Sequence, residues 1–544
     1  MTSRFASILF WLSPLVGFAQ TAPTQWHHLD PAADKTIGIS TDRAYELLKR
    51  APAHQLPTPS RPVIVAVIDG GVDINHEDLK SVLWTNSKEV GRNGKDDDRN
   101  GYVDDVHGWN FLGMKDGHTI ANLQKEETRL YARLKPLYEG KNRASLSLAQ
   151  QSGFDLYQVV KPYYVNKRTE AEKDLQKDTE FLNEDKDHID KLKKAFGVSR
   201  VDTAMLRKPT FTDSTLLQYA RGYYRMLKRN GGSDLDTIIT YFSSYNNMVK
   251  DRLDYAYNPD YKLNTARGDN PANLTERYYG NADAIGDYTE RGTRHGTHVS
   301  GIIAADRVNA FGVRGIADQV QIMSVVAVPD GDEYDKDVAN AIRYAVDNGA
   351  SIINMSFGKY FSPEKSVVDE AIRYADRKGV LLIHAAGNDH LDLDSAQQYP
   401  SPTYLNGQTI PNLITIGASG PGNDSSLVAP FSNYGQRMVD VFAPGVLIQS
   451  TIPKNKYAPS SGTSMATPVV VGIAAVLKSY FPKLTPTDLK RIIMQSAIPY
   501  HTQVLKPGTK QKVDFATLSK TGAIVNLYEA VKLAMTEQTT AAKK

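Results

Sequence analysis

Short apolar runs alternate with amphipathic helical patterns along two stretches of the chain, and this order constrains the fold more than any other feature. The runs are apolar at nearly every position, which is typical of strands buried on both faces of a sheet. Helical stretches between them, such as 335–349 and 363–379, end on glycine. The order predicts an α/β domain built on a parallel sheet. The candidate strands are 63–69, 320–328, 351–357, 379–387, 413–419 and 439–444.

One long region breaks this alternation. Residues 113–267 are rich in Lys, Glu, Asp and Tyr and contain no convincing buried strand. The apolar residues Leu175, Leu182, Ile189 and Phe196 recur every seven positions, but a single stripe is too thin for a stable coiled coil. We therefore expect a charged, mainly helical insertion. Its helices either lie on the main domain or form an arm that binds a partner.

The N-terminus has the pattern of an export signal. Arg4 precedes an apolar segment, and Gly17 and Ala19 are small residues placed for cleavage, so residues 1–19 are predicted to be a signal peptide. A membrane anchor is disfavoured because Pro14 interrupts the run, which is shorter than the roughly 20 residues that a span needs. No later segment is predicted to span a membrane. The mature protein is thus expected in the periplasm or outside the cell.

The remaining termini and the composition limit the classes of function. Residues 20–60 are expected to be a short N-terminal segment, and 536–544 a flexible tail. The formal net charge of +3 is too small to indicate a nucleic-acid partner. The chain of 544 residues has no cysteine, which excludes thiol nucleophiles, zinc–thiolate sites and disulfides.

The stretch RHGTHVSGIIAA (294–305) places His295 and His298 three residues apart. Gly296 and Thr297 between them are poor helix formers, and no third histidine or glutamate follows at metalloprotease spacing, so a metal site is disfavoured. From this segment alone, the two histidines are either structural or part of an acid–base device.

Two other segments favour the acid–base device. Ser464 follows a Gly-Thr turn at the start of a long apolar helix, and Asp69 ends an apolar strand. Asp69, His295 and Ser464 together supply an orienting acid, a general base and a nucleophile. They follow one another in the chain in the order Asp, His, Ser.

Five segments of the chain resemble, in the same sequence order, the signature segments of subtilisin-like serine proteases. The resemblance covers about 63–112 and 280–500. It implies the three-layer α/β subtilisin fold, a catalytic domain from 61–112 and 268–535, and hydrolysis of protein or peptide substrates through an acyl-enzyme. The segments are VIVAVIDGGVDINHEDL (63–79), RHGTHVSGIIAA, IINMSFG (352–358), IHAAGND (383–389) and SGTSMATPVVVGIAA (461–475).

The resemblance also assigns roles to single residues. It implies that His295 is the base and that His298 is structural. The side-chain amide of Asn388 and the backbone N–H of Ser464 are implied to stabilise the oxyanion. Gly70 departs from the usual D-S-G or D-T-G pattern, which is expected to remove one hydrogen bond from the Asp69 carboxylate.

The same alignment maps the pocket for the substrate side chain before the scissile bond. One wall is implied to be Ser356, Phe357 and Gly358, and the other Ala385, Ala386 and Gly387. Lys359 stands where glycine is usual at the rim. Gln398 aligns with the pocket floor, where it is expected to shorten the pocket and to favour Leu, Met or Gln over Phe and Tyr.

Calcium is the predicted cofactor, in a structural role. Asp96, Asp98, Asn100, Gly101 and Asp104 occupy positions 1, 3, 5, 6 and 9 of a calcium-loop pattern. Position 12 is histidine rather than glutamate, so the loop is no EF-hand, and a solvated acidic turn is the alternative.

A second candidate calcium site rests on the resemblance alone. Asp78 matches an aspartate of the family's high-affinity calcium site, and Asn309 lies in the loop after the histidine helix.

Three functions are consistent with these residues. The first is an exported serine endopeptidase, which the complete set of Asp69, His295, Ser464 and Asn388 favours. The second is a catalytically silent binding or scaffold protein. The third is an esterase or transpeptidase that uses the same acyl-enzyme.

Overall fold

The computed structural model describes residues 23–51, 62–230, 232–262, 267–287 and 292–542, so the predicted signal peptide lies outside the described residues. The chain divides into two compact units. The sheet unit comprises the residues up to Ala121 and from Asn264 onward, and the helical unit comprises residues 122–263. The helical unit therefore lies inside the bounds expected for the insertion.

Thirteen strands are present in the described residues, all in the sheet unit. Two of the six predicted core strands, 63–69 and 413–419, have the expected bounds, and the other four are shorter than expected. The strands are β1 Val63–Asp69, β2 Gly108–Asn110, β3 Val320–Val326, β4 Ile352–Met355, β5 Leu381–Ala385, β6 Leu413–Ser419, β7 Val441–Pro444, β8 Ile448–Ile452, β9 Lys456–Ser460, β10 Ile498–Pro499, β11 Gln503–Leu505, β12 Lys512–Asp514 and β13 Ala523–Ile524.

Nine of these strands form one sheet, in the order β10-β13-β7-β6-β5-β4-β1-β3-β2. Every neighbouring pair is parallel except β10 with β13. Strand β1 pairs with β3 on one side and with β4 on the other. Because β1, β4 and β5 are neighbours and parallel, their carboxyl ends meet at one edge of the sheet.

The described residues contain thirteen α-helices, five of them in the helical unit. The helices are α1 Pro31–Asp34, α2 Thr41–Arg50, α3 Glu126–Tyr138, α4 Leu148–Phe196, α5 Thr203–Arg207, α6 Ser214–Asn230, α7 Leu235–Asp251, α8 Gly292–Ala304, α9 Asp335–Asp347, α10 Lys365–Arg377, α11 Thr463–Tyr480, α12 Pro486–Gln495 and α13 Leu527–Ala542.

Helices cover both faces of the sheet, and the alternation of side chains along β1 shows how. Val65 and Val67 pack with residues of α8 and α11, whereas Ala66 and Ile68 pack with residues of α9 and α10. Successive side chains of a strand point to opposite faces, so a strand buried on both faces is apolar throughout. The predicted three-layer α/β fold is confirmed.

Helix α11 is the core helix of the sheet unit. Within the described residues it is the one helix long and apolar enough to cross a membrane, although 83% of it is buried inside the protein. No such segment was expected from the sequence. Burial on all sides gives a core helix the same composition as a membrane span, so its position here indicates a core helix.

The last helix corrects the predicted flexible tail. Helix α13 continues to Ala542, through most of residues 536–544. Its C-terminal sequence, TEQTTAA, contains neither glycine nor proline, so nothing in it ends the helix early.

The helical unit consists of α3 to α7, and no β-strand lies among its described residues. Helix α4 has 49 residues, which at 1.5 Å per residue makes it about 74 Å long. Ile189 and Leu192 near its C-terminal end pack with Leu227 of α6 and Ile238 of α7. Leu182 and Ile189 of the heptad stripe are buried, and Leu175 and Phe196 are half-buried. The predicted helical character of the insertion is confirmed.

The short N-terminal segment is built into the core of the sheet unit. Trp26 is fully buried, and its indole N–H donates to the carbonyl of Val446 at 2.9 Å. Ile39 is also fully buried, and its carbonyl accepts the N–H of Leu527 at the start of α13. Residues 23–51 therefore contribute to the same core as the central strands.

Replacing Trp26 with alanine is expected to destabilise the protein by about 3–5 kcal/mol, because it removes a buried aromatic side chain and leaves a cavity. Urea denaturation measures the loss as a lower midpoint. Glu46→Ala, on the exposed side of α2, is the control and is expected to change stability by about 0.5 kcal/mol or less. Equal midpoints for Trp26→Ala and the wild type would contradict this role of the N-terminal segment.

Candidate active site

The carboxyl edge of the sheet brings the first two candidate residues together. Asp69 is the last residue of β1 and is buried, and His295 lies in the first turn of α8. His295 Nδ1 lies 2.9 Å from Oδ1 and 2.8 Å from Oδ2 of Asp69. The imidazole is 37% exposed. Its second nitrogen, Nε2, is thus left for another partner.

Asp69 governs the proton affinity of His295. Burial alone lowers the pKa of His295, but the negative charge of Asp69 and its hydrogen bond outweigh burial and raise the pKa above the ordinary value of 6.5. The carboxylate thus fixes the ring orientation and stabilises the imidazolium, as the acid of a catalytic triad does.

Glycines permit this close approach of α8 to the end of β1. A Cβ on Gly296 would lie 2.2 Å from the carbonyl oxygen of Gly71, and a Cβ on Gly70 would lie 2.6 Å from that of Gly292. A serine or threonine at position 70 would therefore push α8 away. The Gly70 N–H itself donates to Asp69 Oδ1 at 2.8 Å. The close approach of Gly292 to Gly70 explains why glycine replaces the serine or threonine of the D-S-G and D-T-G patterns.

Ser464 is the second residue of α11, and its backbone N–H has no acceptor within the helix. Its hydroxyl donates to the carbonyl of Ser356 at 3.0 Å. Within the described residues no hydrogen bond joins this hydroxyl to His295. Rotation about χ1 is needed to bring the hydroxyl to the imidazole, and such bonds are often absent before substrate binds.

Asn388 lies beside the N-terminus of α11. Its Oδ1 accepts the N–H of Thr463 at 2.8 Å and the Thr463 hydroxyl at 3.1 Å. The amide nitrogen of Asn388 has no acceptor among the described residues, and the side chain is exposed. Thr463 therefore orients a free N–H donor next to Ser464, which is the arrangement that an oxyanion hole requires.

His298 lies one turn beyond His295 and contacts β9. It is buried, and its Nε2 hydrogen-bonds the carbonyl of Ala458 at 3.0 Å. Burial lowers the pKa of His298 to about 4. A neutral histidine that holds a backbone carbonyl is the structural role expected for it.

The segments predicted to form the pocket walls follow β4 and β5 at the same edge. Ser356 and Phe357 are buried, as are Ala385 and Ala386. The amide of Gln398 lies between the walls and donates from Nε2 to the carbonyl of Ala385 at 3.2 Å. The structure thus brings the residue predicted to form the pocket floor next to the segments predicted to form its walls.

Lys359 is buried rather than exposed at the rim. Its ammonium donates to the carbonyl of Glu333 at 2.8 Å and lies 2.9 Å from Asp335 Oδ1. Lys359, which stands where glycine was expected, therefore anchors the wall segment 356–358 through its buried ammonium.

The comparisons with known proteins agree with this geometry. A model of the subtilase family matches residues 60–523. The chain belongs to the subtilase family. This confirms the family predicted from the sequence.

Individual relatives match shorter parts of this subtilase. It is 42% identical over 186 residues to a thermophilic serine proteinase of Bacillus sp. (strain AK1), covering 34% of this chain and 42% of that protein. It is 36% identical over 211 residues to subtilisin BL of Lederbergia lenta, covering 38% of this chain and 72% of that protein. A solved protease structure from Pseudoalteromonas arctica aligns with a TM-score of 0.36 at 28% identity, over 44% of this chain and 70% of that one. The family and its named relatives support the predicted enzyme class, a subtilisin-like serine endopeptidase.

In this subtilase, two of the predicted calcium-loop residues, Asp96 and Asp98, lie close to Glu89, which the calcium-loop pattern did not include. Carboxylate oxygens of Asp96, Asp98 and Glu89 lie within 4.8 Å of one another. Glu89 Oε1 also accepts the N–H of Asp98 at 3.0 Å. Glu89 lies seven residues before Asp96, outside the calcium-loop pattern that the sequence analysis used.

The other two loop residues, Asn100 and Asp104, donate backbone N–H groups to this cluster, but their side chains have other partners. The Asp104 carboxylate accepts the backbone N–H groups of Asn93 and Gly94, each at 3.0 Å. The Asn100 side-chain oxygen accepts the N–H of Tyr102 at 2.8 Å. Asp104 has a φ of 60°, in the left-handed region of backbone conformation.

The second candidate pair, Asp78 and Asn309, is in direct contact. Asp78 is buried, and its carboxylate accepts the Asn309 side-chain amide and, at 2.9 Å, the N–H of Val313. Burial raises the pKa of Asp78. Asn309 presents nitrogen rather than oxygen to the carboxylate, so a cation here would need the amide to turn.

Replacing Asp69 with asparagine is expected to lower the pKa of His295 below 6.5, because burial then acts without the opposing carboxylate charge. NMR titration of the imidazole protons measures this pKa in both proteins. His384 is the control, since burial lowers its pKa to about 4 and, among the described residues, its ring hydrogen-bonds only the Phe357 carbonyl. A His295 pKa that is unchanged in Asp69→Asn would show that Asp69 does not pair with it.

Proposed function

We propose that this subtilase is an exported serine endopeptidase that hydrolyses protein or peptide substrates through an acyl-enzyme. The observation that carries the proposal is the pairing of His295 Nδ1 with both carboxylate oxygens of Asp69, at 2.9 and 2.8 Å. This pairing leaves Nε2 as the base for a serine that begins a buried helix.

In the first half of the proposed reaction, Ser464 Oγ attacks the scissile carbonyl while His295 Nε2 accepts the hydroxyl proton. Asp69 stabilises the imidazolium that forms. The oxyanion accepts hydrogen bonds from the Ser464 N–H and the Asn388 amide. When the tetrahedral intermediate collapses, His295 returns the proton to the leaving amine and the acyl-enzyme remains.

The second half repeats these roles with water. His295 accepts a proton from water as its oxygen attacks the ester carbon, and the same two donors hold the oxyanion. Collapse of this intermediate breaks the bond to Ser464 Oγ, which regains its proton from His295. The carboxylic acid product leaves, and the enzyme returns to its starting state.

Export is supported by the sequence of residues 1–19, with Arg4 before an apolar segment and small residues at positions 17 and 19. The absence of cysteine from the chain is compatible with either the periplasm or the medium. N-terminal sequencing of the protein recovered outside the cytoplasm would test cleavage after Ala19.

Ser464→Ala is expected to abolish peptide hydrolysis, because losing the serine nucleophile costs a subtilisin about 10⁶-fold in turnover. Asn388→Gly is expected to lower kcat by about 10²–10³-fold with little change in KM, because the lost donor acts in the transition state. Steady-state hydrolysis of a peptide library measures both effects.

Labelling by a fluorophosphonate separates the alternatives. Wild type and Asn388→Gly are expected to react at Ser464, and Ser464→Ala is expected not to react. A wild type that folds but neither labels nor hydrolyses would be a silent scaffold. One that labels and turns over esters but not peptides would be an esterase or a transpeptidase.

Calcium is the structural cofactor that we propose for the acidic loop. The three carboxylates converge within 4.8 Å, and a cation would add to the backbone N–H groups that already offset part of their mutual repulsion. Carboxylate oxygens are the ligands that calcium prefers, so Glu89, Asp96 and Asp98 fit the ion. Bound calcium would hold the loop and takes no part in the chemistry. Asp78 and Asn309 are the second candidate position.

Removing calcium with EGTA is expected to lower the Tm of the wild type, since a ligand present at 100 times its Kd stabilises a fold by about 2.7 kcal/mol. Asp96→Asn should shrink the difference in Tm between calcium and EGTA, because it removes a charge but keeps an oxygen. Asp104→Asn is the matched control and should leave that difference unchanged. If protein shown to contain calcium melts at the same temperature in EGTA, the loop is not a stabilising site.

A further inference from the structure

The amide of Gln398 fills the space between the two walls of the proposed substrate pocket. A Cβ placed on Gly358 would lie 2.8 Å from Gln398 Nε2. A Cβ placed on Gly387, in the opposite wall, would lie 2.9 Å from Nε2 and 3.0 Å from Oε1. The glycines thus make room for the enzyme's own amide rather than for a large substrate side chain.

Hydrogen bonds within the protein hold this amide in place. Its Nε2 donates to the Ala385 carbonyl at 3.2 Å, and its Oε1 accepts from Asn433 Nδ2 at 3.4 Å. Asn433 is fully buried, and its Nδ2 also donates to the carbonyl of Ala386 at 2.8 Å. Both polar ends of Gln398 therefore have hydrogen-bond partners within the protein. A large side chain can enter only by displacing Gln398 and breaking these bonds.

A second contact joins the outer ends of the two walls. Tyr360 follows Gly358 by two residues, and Asp389 follows Gly387 by two residues. The Tyr360 hydroxyl donates to the Asp389 carboxylate. We call this hydrogen bond the clasp.

The backbone on either side of the pocket is fixed. Lys359 exchanges hydrogen bonds with Tyr399, N–H to carbonyl in both directions, at 3.1 and 2.9 Å. His384 is buried beneath the first wall and lies 2.8 Å, through Nε2, from the Phe357 carbonyl. The walls therefore cannot spread without breaking several buried hydrogen bonds.

We propose that the pocket for the side chain before the scissile bond is a short slot, closed at its base by Gln398 and bridged at its outer end by the clasp. The enzyme then cleaves after small side chains such as alanine and serine. This substrate class is smaller than the Leu, Met or Gln that the sequence alone favoured. The inference rests on the proposed function, because it assumes that the walls receive a peptide side chain.

The test is a set of succinyl-Ala-Ala-Pro-X p-nitroanilides in which X is Ala, Leu, Phe or Lys. For the wild type, kcat/KM is expected to be at least about tenfold higher for Ala than for Phe, a typical discrimination by pocket size. Gln398→Gly should raise kcat/KM for Phe by about tenfold or more and change that for Ala by less than about threefold. Gln397→Gly, at the exposed neighbouring glutamine, is the matched control and should keep the wild-type profile.

A separate variant tests the clasp. Tyr360→Phe removes the hydroxyl and keeps the ring, and it should raise kcat/KM for Leu and Phe relative to Ala. Tyr374→Phe, which removes a tyrosine–aspartate hydrogen bond to Asp347 elsewhere, is the control and should leave the profile unchanged.

The results separate the inference from the function on which it rests. Suppose that Ser464 reacts with a fluorophosphonate but the wild type prefers the Phe substrate, or prefers the Lys substrate because its ammonium pairs with Asp389. The proposal of a short slot is then wrong, and the peptidase assignment stands. A profile that Gln398→Gly leaves unchanged also overturns the slot. If Ser464 does not react and no substrate is cleaved, the proposed function fails, and the inference fails with it.

Discussion

Parallel pairing of β1 with β4, and of β4 with β5, is the constraint on which the rest of the site depends. Parallel neighbours end at the same edge of a sheet, so Asp69, the wall after β4 and Asn388 after β5 meet there although the chain places them far apart. The strands carry no chemistry themselves. Their apolar faces pack against helices on both sides, and this packing fixes the positions of the segments that follow β1, β4 and β5. Ser464, at the start of α11, contacts the segment after β4.

That arrangement also shows where the chain can accept an insertion. The helical unit leaves the sheet unit after β2 and returns before α8. Strand β2 is the last in the sheet order and pairs only with β3 among the named strands. A long insertion at an edge leaves the register of β1, β4 and β5 untouched. Loop-closure entropy grows only slowly with length, so about 140 extra residues cost little in stability.

Sequence patterns predicted the features that are encoded locally. The core strands, Asp69, His295, Ser464 and Asn388 each lie in a run of a few residues whose pattern has a physical reason. Features that depend on distant residues were missed. Gly70 is needed because Gly292 approaches it, and Glu89 joins Asp96 only in the folded loop. Strand β3 stops at Val326, two residues early, because the next two N–H groups turn to the carbonyl of Asp69.

Proposed chemistry and proposed selectivity therefore rest on different parts of the fold. The proposed triad depends on the end of β1 and on the N-terminal turns of α8 and α11, which pack against the sheet. The slot depends on side chains from loops, among them Gln398 and the buried pair of Lys359 with Asp335. Removing one partner of a buried ion pair lowers the free energy of unfolding by about 3–5 kcal/mol, because the other charge is left unpaired. Neither Lys359 nor Asp335 can therefore be replaced alone without a large loss of stability. Gln398 has neutral partners and no such penalty. Selectivity can thus change at the floor of the slot while the walls and the triad stay in place.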